Sequence, residues 1–342
     1  MRQLRTLPYL TVVATVLFSV CQPVCADSVS DFYHGKTVSL LVGFGPGGGY
    51  DITARALSRH IGRHIPGEPN VVVRNVPGAA GLVLANSIYN VSPRDGTEMG
   101  TFNRTIPLDP MLDGTKAHFD PLKFSWIGST SNEVSTCVAW HTASVSTIEQ
   151  AMQTELVVAG TGPAADAVMY PRLLNDIIGT KFRLVTGYQG SADSIMAMER
   201  GEAQSFCAWT WGSIVSSHPT WLRDGTIKVL VQFGLRKHPD HPDIPLVLDL
   251  AKTEKDRQAL ELMMSPLLFA RPFAAPPGIP AVRLAALRKS FDETIKDPLF
   301  IADAEKQGLE IDLVTGKEID QTLEKLYKTP PDVIERVKAA LN

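Results

Sequence analysis

After its first 26 residues the sequence has no long apolar run, no basic stretch and only two of its four cysteines. No later segment holds about 18 uninterrupted apolar residues, so no membrane-spanning helix is expected there. The net charge is only −3, and the absence of a basic cluster argues against a nucleic-acid partner. No Cys-x-x-Cys pair or grouping of cysteine with histidine occurs, so no metal site is expected.

The first 26 residues have the pattern of a cleaved signal peptide. Two arginines precede an apolar stretch at residues 10–20, which is too short for a bilayer span of about 20 residues. Residues 24–26 are small, as a signal peptidase requires. A lipoprotein signal through Cys21 or Cys25 is the alternative, although the flanking residues fit a lipid-attachment box poorly. The sequence therefore predicts an exported chain that begins near residue 27.

Patterns of alternating strand and helix fill the remaining chain. Residues 37–44 and 71–73 are typical of buried strands, each followed by a glycine-containing turn and a helix, and residues 98–102 add a third strand. This order is typical of a parallel sheet with helices on both faces. A similar run from about residue 130 indicates a second domain, and we expect the chain to return to the first sheet near Ile227.

Two cysteines, Cys137 and Cys207, remain after the signal peptide. In an oxidising compartment they can form a disulfide. Two separate buried thiols are an equal alternative, since free cysteine is among the most buried residue types.

The sharpest local feature is Gly-Phe-Gly-Pro-Gly-Gly-Gly-Tyr-Asp at residues 43–51, between a strand and a helix. Glycines let backbone N–H groups approach a ligand, and a helix N-terminus offers unpaired donors, so this turn can hold an anion. A tight structural turn is the alternative, although it needs only one or two glycines. The turn also matches the dinucleotide pattern G-x-G-x-x-G, but the second strand ends in Arg74 and Asn75 where that pattern requires an acid. We therefore expect an anion and no cofactor.

Two more turns of small residues follow strands, at residues 75–81 and, in the second domain, at residues 160–163. Ligands of open parallel sheets bind outside the carboxyl ends of the strands. We therefore expect the three turns to meet at one cleft that suits a small carboxylate.

Other candidate residues have structural explanations that compete with functional ones. Trp209 and Trp211 end a second-domain strand, where they contact either a ligand or the core. His60 and His64 lie four apart on a helix without the His-Glu-x-x-His pattern, so a solvated basic face is favoured over metal binding. Asp51 is expected to cap a helix. No catalytic residue is predicted, because neither a G-x-S-x-G turn nor a P-loop lysine occurs.

Three motifs, in order along the chain, carry a resemblance to a known family. Residues 46–51 match P-G-G-x-x-D, residues 75–81 match N-x-x-G-A-x-G, and residues 93–97 match P-x-D-G-x. By these motifs the sequence resembles the solute receptors of tripartite tricarboxylate transporters, the Bug family. Weaker matches lie at residues 126–128, 188–190 and 201–203.

The resemblance implies an α/β fold of the two-domain periplasmic binding protein kind (type II-like), each domain a mainly parallel sheet flanked by helices, with the ligand cleft between the domains. On this basis we predict a first domain from residues 27–130 and 226–310, a second from residues 131–225, and C-terminal helices at 311–342 that pack across both. The predicted ligand-binding residues are Phe44, Gly45, Gly47, Gly48, Asp51, Asn75, Gly78, Ala79, Thr161, Gly162, Asp166, Tyr188 and Trp209.

The resemblance also implies a function: a monomeric periplasmic receptor that closes on a small organic acid and delivers it to the integral-membrane subunits of a permease. One departure stands out, because the family commonly has Ser, Thr or His early in the second-domain helix where this chain has Asp166. An acid there repels a ligand carboxylate unless it meets a donor or turns away. Two alternatives remain: a sensor that presents the bound acid to a signalling partner, and an exported enzyme that uses Asp51 or Asp166.

Overall fold

The computed structural model describes residues 28–112 and 114–342, so the predicted signal peptide, with Cys21 and Cys25, lies outside the described residues. Within these ranges eleven strands form two sheets. The strands are β1 (Thr37–Val42), β2 (Asn70–Asn75), β3 (Glu98–Thr101), β4 (Ser125–Ser129), β5 (Ser135–Trp140), β6 (Leu156–Gly160), β7 (Phe182–Thr186), β8 (Ser205–Thr210), β9 (Ile227–Phe233), β10 (Pro272–Ala275) and β11 (Val314–Thr315).

Helices flank both sheets. They are α1 (Val29–Tyr33), α2 (Gly49–Ile61), α3 (Leu82–Asn90), α4 (Asp109–Leu112), α5 (Ile148–Gln153), α6 (Asp166–Ile177), α7 (Ser191–Glu199), α8 (Trp211–Ser217), α9 (Glu254–Met264), α10 (Ala281–Lys296), α11 (Pro298–Lys306), α12 (Gly316–Leu326) and α13 (Pro331–Leu341). None of the helices in the described ranges is long and apolar enough to cross a membrane.

The first sheet has the strand order β11-β4-β10-β3-β1-β2. β1 runs parallel to β2 and β3, whereas β10 is antiparallel to β3 and β4. Val38, Leu40 and Val42 of β1 are fully buried, because strands lie on both sides of β1 and helix α2 packs against it. Since β1, β2 and β3 are parallel, the turns that follow them leave the sheet at one edge.

The second sheet has the strand order β7-β6-β8-β5-β9. β6 runs parallel to β7 and β8, and β5 is antiparallel to β8 and β9. Both sheets are therefore mixed, with parallel pairs in the β-α-β units and antiparallel pairs where the chain passes from one sheet to the other.

The strand at Ile227–Phe233 corrects one sequence-based expectation. We expected the chain to return to the first sheet near Ile227, but β9 pairs along its length with β5 in the second sheet. Its Ile227, Leu230 and Val231 are buried in that sheet's core. The chain rejoins the first sheet only at β10, after helix α9. An apolar strand pattern shows that a segment is buried, but it carries no information on which sheet receives it.

Cys137 in β5 and Cys207 in β8 lie opposite each other in the antiparallel ladder. Their sulfur atoms form a disulfide, with the two Cα atoms 3.9 Å apart. The bond joins the middle of two neighbouring strands of the second sheet.

The C-terminal segment contacts both halves of the molecule. Helix α12 packs on β4 of the first sheet, whereas α13 packs on α6 beside the second sheet and on α9. Between α11 and β11, the Asp312 amide donates to the Thr130 carbonyl, 2.9 Å away, at the crossing from β4 to β5. Residues 312–342 thus brace the segments that link the two sheets.

Candidate ligand-binding site

A cleft with about 480 Å³ of space outside the protein atoms lies between the two sheets. Its walls come from both halves: the glycine turn after β1 and the segment after β3 on one side, and the starts of α6 and α7 with the end of β8 on the other. This places the cleft at the carboxyl ends of the parallel strands in each sheet, where ligands of such sheets bind.

Four helices begin at this cleft: α8 is capped by the side chain of Thr210, whereas α2, α6 and α7 have no side-chain cap. The N-cap residues of α2, α6 and α7 are Gly48, Ala165 and Gly190, and none of them makes a side-chain cap hydrogen bond. The first N–H groups of a helix have no partner within the helix, and they carry partial positive charge. The cleft therefore presents backbone donors from both halves, which suits an anion.

Asp51 is a structural residue of the glycine turn and does not line the cleft. Its carboxylate accepts hydrogen bonds from the Gly47 amide (2.9 Å), from Asn75 (2.8 Å) and from Arg55. Burial raises the pKa of Asp51, but these hydrogen bonds outweigh burial and hold the pKa below its usual value. The prediction that Asp51 caps the helix is wrong: the N-cap of α2 is Gly48, and Asp51 instead accepts from the Gly47 amide ahead of the helix and pairs with Arg55.

The turns after β1 and β2 are tied together and contact the other half of the protein. Asn75 donates from Nδ2 to the Phe44 carbonyl, 3.0 Å away. Gly162, from the second half, lies so close to the turn at Ala79 that an added Cβ would be 2.5 Å from the Ala79 carbonyl carbon. The small residues in these two turns thus allow close approach of the two halves.

The main groups that sequence reasoning missed are two buried arginines and a buried glutamate. Arg104 follows β3 and is 2% exposed, and Arg271 precedes β10 and is 6% exposed. Between them lies Glu133, 3.0 Å from Arg271 Nε and 3.9 Å from Arg104 Nη1. Burial raises the pKa of Glu133, but the two guanidinium groups bring it below its usual value, so this carboxylate is ionised.

Asp166, an acid at a site that is expected to bind an acid, is paired with the buried guanidinium of Arg104. Its Oδ2 lies 2.5 Å from Arg104 Nη2, and its Oδ1 accepts from Asn103 (2.8 Å) and from the Ala167 amide (2.9 Å). Arg104 and Asn103 belong to the first half and Asp166 to the second, so these contacts join the halves across the cleft.

Arg271 makes the second link across the cleft. Its Nη2 donates to Thr210 Oγ1 (2.9 Å) and to Ser213 Oγ (2.6 Å), both from the second half. Its guanidinium carbon lies 4.7 Å from the centre of the Tyr50 ring, a cation–π contact.

Aromatic rings form the apolar part of the wall. Phe44 stacks on Tyr50 with ring centres 4.7 Å apart, and both line the cleft together with Trp209. Trp211 does not line it and stacks instead on His241, 3.9 Å away, so the core explanation holds for Trp211. Tyr188 packs against the apolar cluster of the second half.

The predicted ligand-binding residues thus divide into two groups. Five line the cleft: Phe44, Gly48, Thr161, Asp166 and Trp209. The other eight form the turns and contacts around the cleft: Gly45, Gly47, Asp51, Asn75, Gly78, Ala79, Gly162 and Tyr188. Of these, Gly47 lines an adjoining hollow.

Among the described residues no group of three or more His, Cys, Asp or Glu side chains is placed to hold a metal ion. His60 of α2 contacts Asp303 of α11 at 2.9 Å, and His64, in the turn after α2, contacts Asp297, the N-cap of α11, at 2.8 Å.

No family model matches the sequence, and no curated protein matches it either. Solved structures do resemble it over nearly the whole chain. The periplasmic binding protein BugD superimposes with a TM-score of 0.71 at 20% identity, covering 90% of this chain and 98% of BugD. MatC from Rhodopseudomonas palustris with bound malate superimposes with a TM-score of 0.68 at 17% identity, covering 90% of this chain and 99% of MatC.

A third structure, R. palustris Rpa4515 with adipate, gives a TM-score of 0.68 at 16% identity, over 90% of this chain and 97% of its own. At these identities the similarity concerns the fold. The predicted fold is confirmed: the chain has the two-domain architecture of periplasmic solute-binding proteins.

Proposed function

We propose that the protein is a periplasmic receptor that binds a small organic acid between its two halves and delivers it to a membrane permease. The observation that carries this proposal is the pair of buried arginines, Arg104 and Arg271, at a cleft where three uncapped helices also begin. Guanidinium groups and the N–H groups of helix N-termini are the donors that proteins use for carboxylates.

Binding is coupled to closure of the two halves. Several contacts join the halves around the cleft, among them Arg104 with Asp166, Arg271 with Thr210, and the Thr105 hydroxyl with the Ala164 carbonyl at 2.6 Å. A ligand that contacts both walls adds to these links and shifts the population toward the closed state. No covalent step and no cofactor enters this mechanism.

Within the site, Phe44 and Trp209 supply apolar surface, and Thr161 and the Gly48 turn supply polar contacts to the ligand. The structures bound to malate and adipate support an organic acid as the ligand. The motifs shared with tripartite tricarboxylate receptors support the permease as partner, and the sequence pattern of residues 1–26 supports export.

A thermal-shift screen of the purified protein against mono-, di- and tricarboxylates, aromatic acids and amino acids tests ligand binding. A ligand at 100 times its Kd adds about 2.7 kcal/mol to the free energy of unfolding. For a protein of this size that raises Tm by several degrees, at roughly 2–4 °C per kcal/mol. A flat screen, with no acid released from the denatured protein in mass spectrometry, would contradict the proposal.

Uptake of the labelled acid separates the transport role from the sensor role. Cells that lack this gene should take up the acid poorly, and the wild-type gene should restore uptake. Normal uptake combined with a lost transcriptional response to the acid would favour the sensor.

A further inference from the structure

Four buried charged side chains at and behind the cleft balance each other: Arg104, Asp166 and Arg271 line it, and Glu133 lies behind the wall between the two arginines. Arg104 and Arg271 carry two positive charges, and Glu133 and Asp166 carry two negative charges, and all four are at most 6% exposed. They form one chain of contacts, from Asp166 to Arg104 to Glu133 to Arg271. The side chains alone thus provide no surplus positive charge for a bound acid.

One ligand carboxylate can still be accommodated. The uncapped starts of α2 and α7 carry partial positive charge. Nε and Nη1 of Arg104 make no close hydrogen bond within the described ranges, although the Tyr170 hydroxyl and Glu133 Oε2, the latter 3.9 Å from Nη1, lie near the guanidinium. Its Nη2 is already engaged by Asp166 and by the Ala208 carbonyl. The hydroxyl of Thr161, also without a partner in the described chain, is a further donor beside this position.

Beside this position the wall also carries negative charge, although the hydroxyls of Ser191, Thr210 and Ser213 line the cleft too. Asp166 Oδ1 is saturated by two donors, but Oδ2 makes only its ion pair with Arg104. Glu133 lies behind the cleft wall, with its Oε2 3.9 Å from Arg104 Nη1. A second ligand carboxylate placed here would face Asp166, with the charge of Glu133 behind the wall, and a buried uncompensated charge is costly.

A ligand ammonium group, unlike a second carboxylate, is favoured beside Asp166. It donates to carboxylate oxygens and restores the charge balance that the first ligand carboxylate disturbs. The rings of Phe44, Tyr50 and Trp209 line the same cleft, and their faces attract cations.

We propose that the ligand is an aminocarboxylate, with its carboxylate at the Arg104 side of the cleft, and that Asp166 selects this class by accepting from the ligand's ammonium group. This inference rests on the proposed function and narrows its ligand class. It also gives the acid at position 166 a role in specificity, because the same side chain disfavours a second carboxylate.

Isothermal titration of the purified protein with acids that differ by one amino group tests the inference. The pairs are alanine and propionate, aspartate and succinate, glutamate and glutarate, and 4-aminobutyrate and butyrate. We expect the amino member of the bound pair to bind at least tenfold more tightly than its partner. Equal or tighter binding of the acid without the amino group overturns the inference and leaves the receptor function standing. Binding of no acid in these pairs or in the wider screen overturns both.

The variant Asp166→Asn tests the residue. It removes the acceptor charge and releases Arg104, so we expect weaker binding of the amino member and tighter binding of the plain acid. A residue with only a structural role would weaken both. The control is Asp176→Asn on the same helix, because Asp176 pairs with Arg336 away from the cleft. If Asp166→Asn fails to fold, Asp166→Ser is used, with the same reversal expected; an unchanged preference in the folded variant overturns the assignment.

Discussion

At the scale of single residues, Gly162 shows how the absence of a side chain allows the two halves to close. An added Cβ at Gly162 would lie 2.5 Å from the Ala79 carbonyl carbon, closer than real Cβ contacts allow. Since the two residues belong to different halves, the clash exists only in the closed arrangement.

We therefore predict that Gly162→Ala weakens ligand binding at least tenfold, measured as Kd by isothermal titration. The control is Gly45→Ala, whose added Cβ would face Gln189 of the other half at an ordinary 3.5 Å. Gly45→Ala should bind within about twofold of wild type. Equal Kd values for the two variants would show that closure does not depend on this contact.

The same scale shows what the sequence could and could not predict about the site. Glycine turns are visible in a sequence because they are local, and all three predicted turns lie around the cleft. Arg104 and Arg271 lie 167 positions apart in the sequence. They come together only when the chain folds, with Glu133 between them. The one local signal was that Asn103 and Arg104 follow β3 at the carboxyl edge of the sheet, where polar residues contact ligands.

At the scale of elements, the disulfide joins β5 to β8 across a sequence separation of 70 residues. Closing a loop of this size removes conformational entropy from the unfolded chain and stabilises the fold by about 4 kcal/mol in the chain-entropy model. We predict that reduction of the wild-type protein lowers Tm by roughly 10 °C. The double variant Cys137→Ala/Cys207→Ala should melt at the lower temperature and not respond to reductant. A wild-type Tm that is indifferent to reductant would contradict the role of the bond.

A second element-scale prediction concerns Glu310, which lies against the start of α8. Burial raises its pKa to about 7, the charges of Glu133 and Asp240 add to this, and Arg271 and the Gly212 amide oppose it. His238 lies 3.6 Å from its Oε1. Because the folded protein holds this proton more tightly than the unfolded chain, whose value is 4.5, the stability contributed by Glu310 is lost as pH rises from about 4.5 to about 7.

Glu310→Gln should remove this loss. The Tm of the variant minus that of wild type is expected to be more positive at pH 8 than at pH 5, measured by differential scanning calorimetry. Glu305→Gln, at an exposed position of α11, removes a carboxylate from the surface and should give the same difference at both pH values. A pH-independent difference for Glu310→Gln would contradict the burial argument.

At the scale of the whole molecule, the two-domain α/β fold followed from the sequence, but the path between the halves did not. β1 and β2 are recognisable because each is followed by its own glycine-containing turn and helix, and β3 extends the same alternation. The placement of β9 depends on long-range pairing with β5, and its apolar pattern fits either sheet. For the same reason the antiparallel strands β10 and β11, which return from far along the chain, left no local signal of their partners.

The central claim is that a carboxylate binds between the halves through buried arginine. Isothermal titration of wild type and Arg104→Gln with the acid found in the screen tests it most directly, with Arg183→Gln, an exposed arginine of β7, as the matched control. We predict that Arg104→Gln loses at least a hundredfold in affinity, about 2.7 kcal/mol, while Arg183→Gln binds like wild type. A folded Arg104→Gln protein that binds the acid with the wild-type Kd would contradict the account.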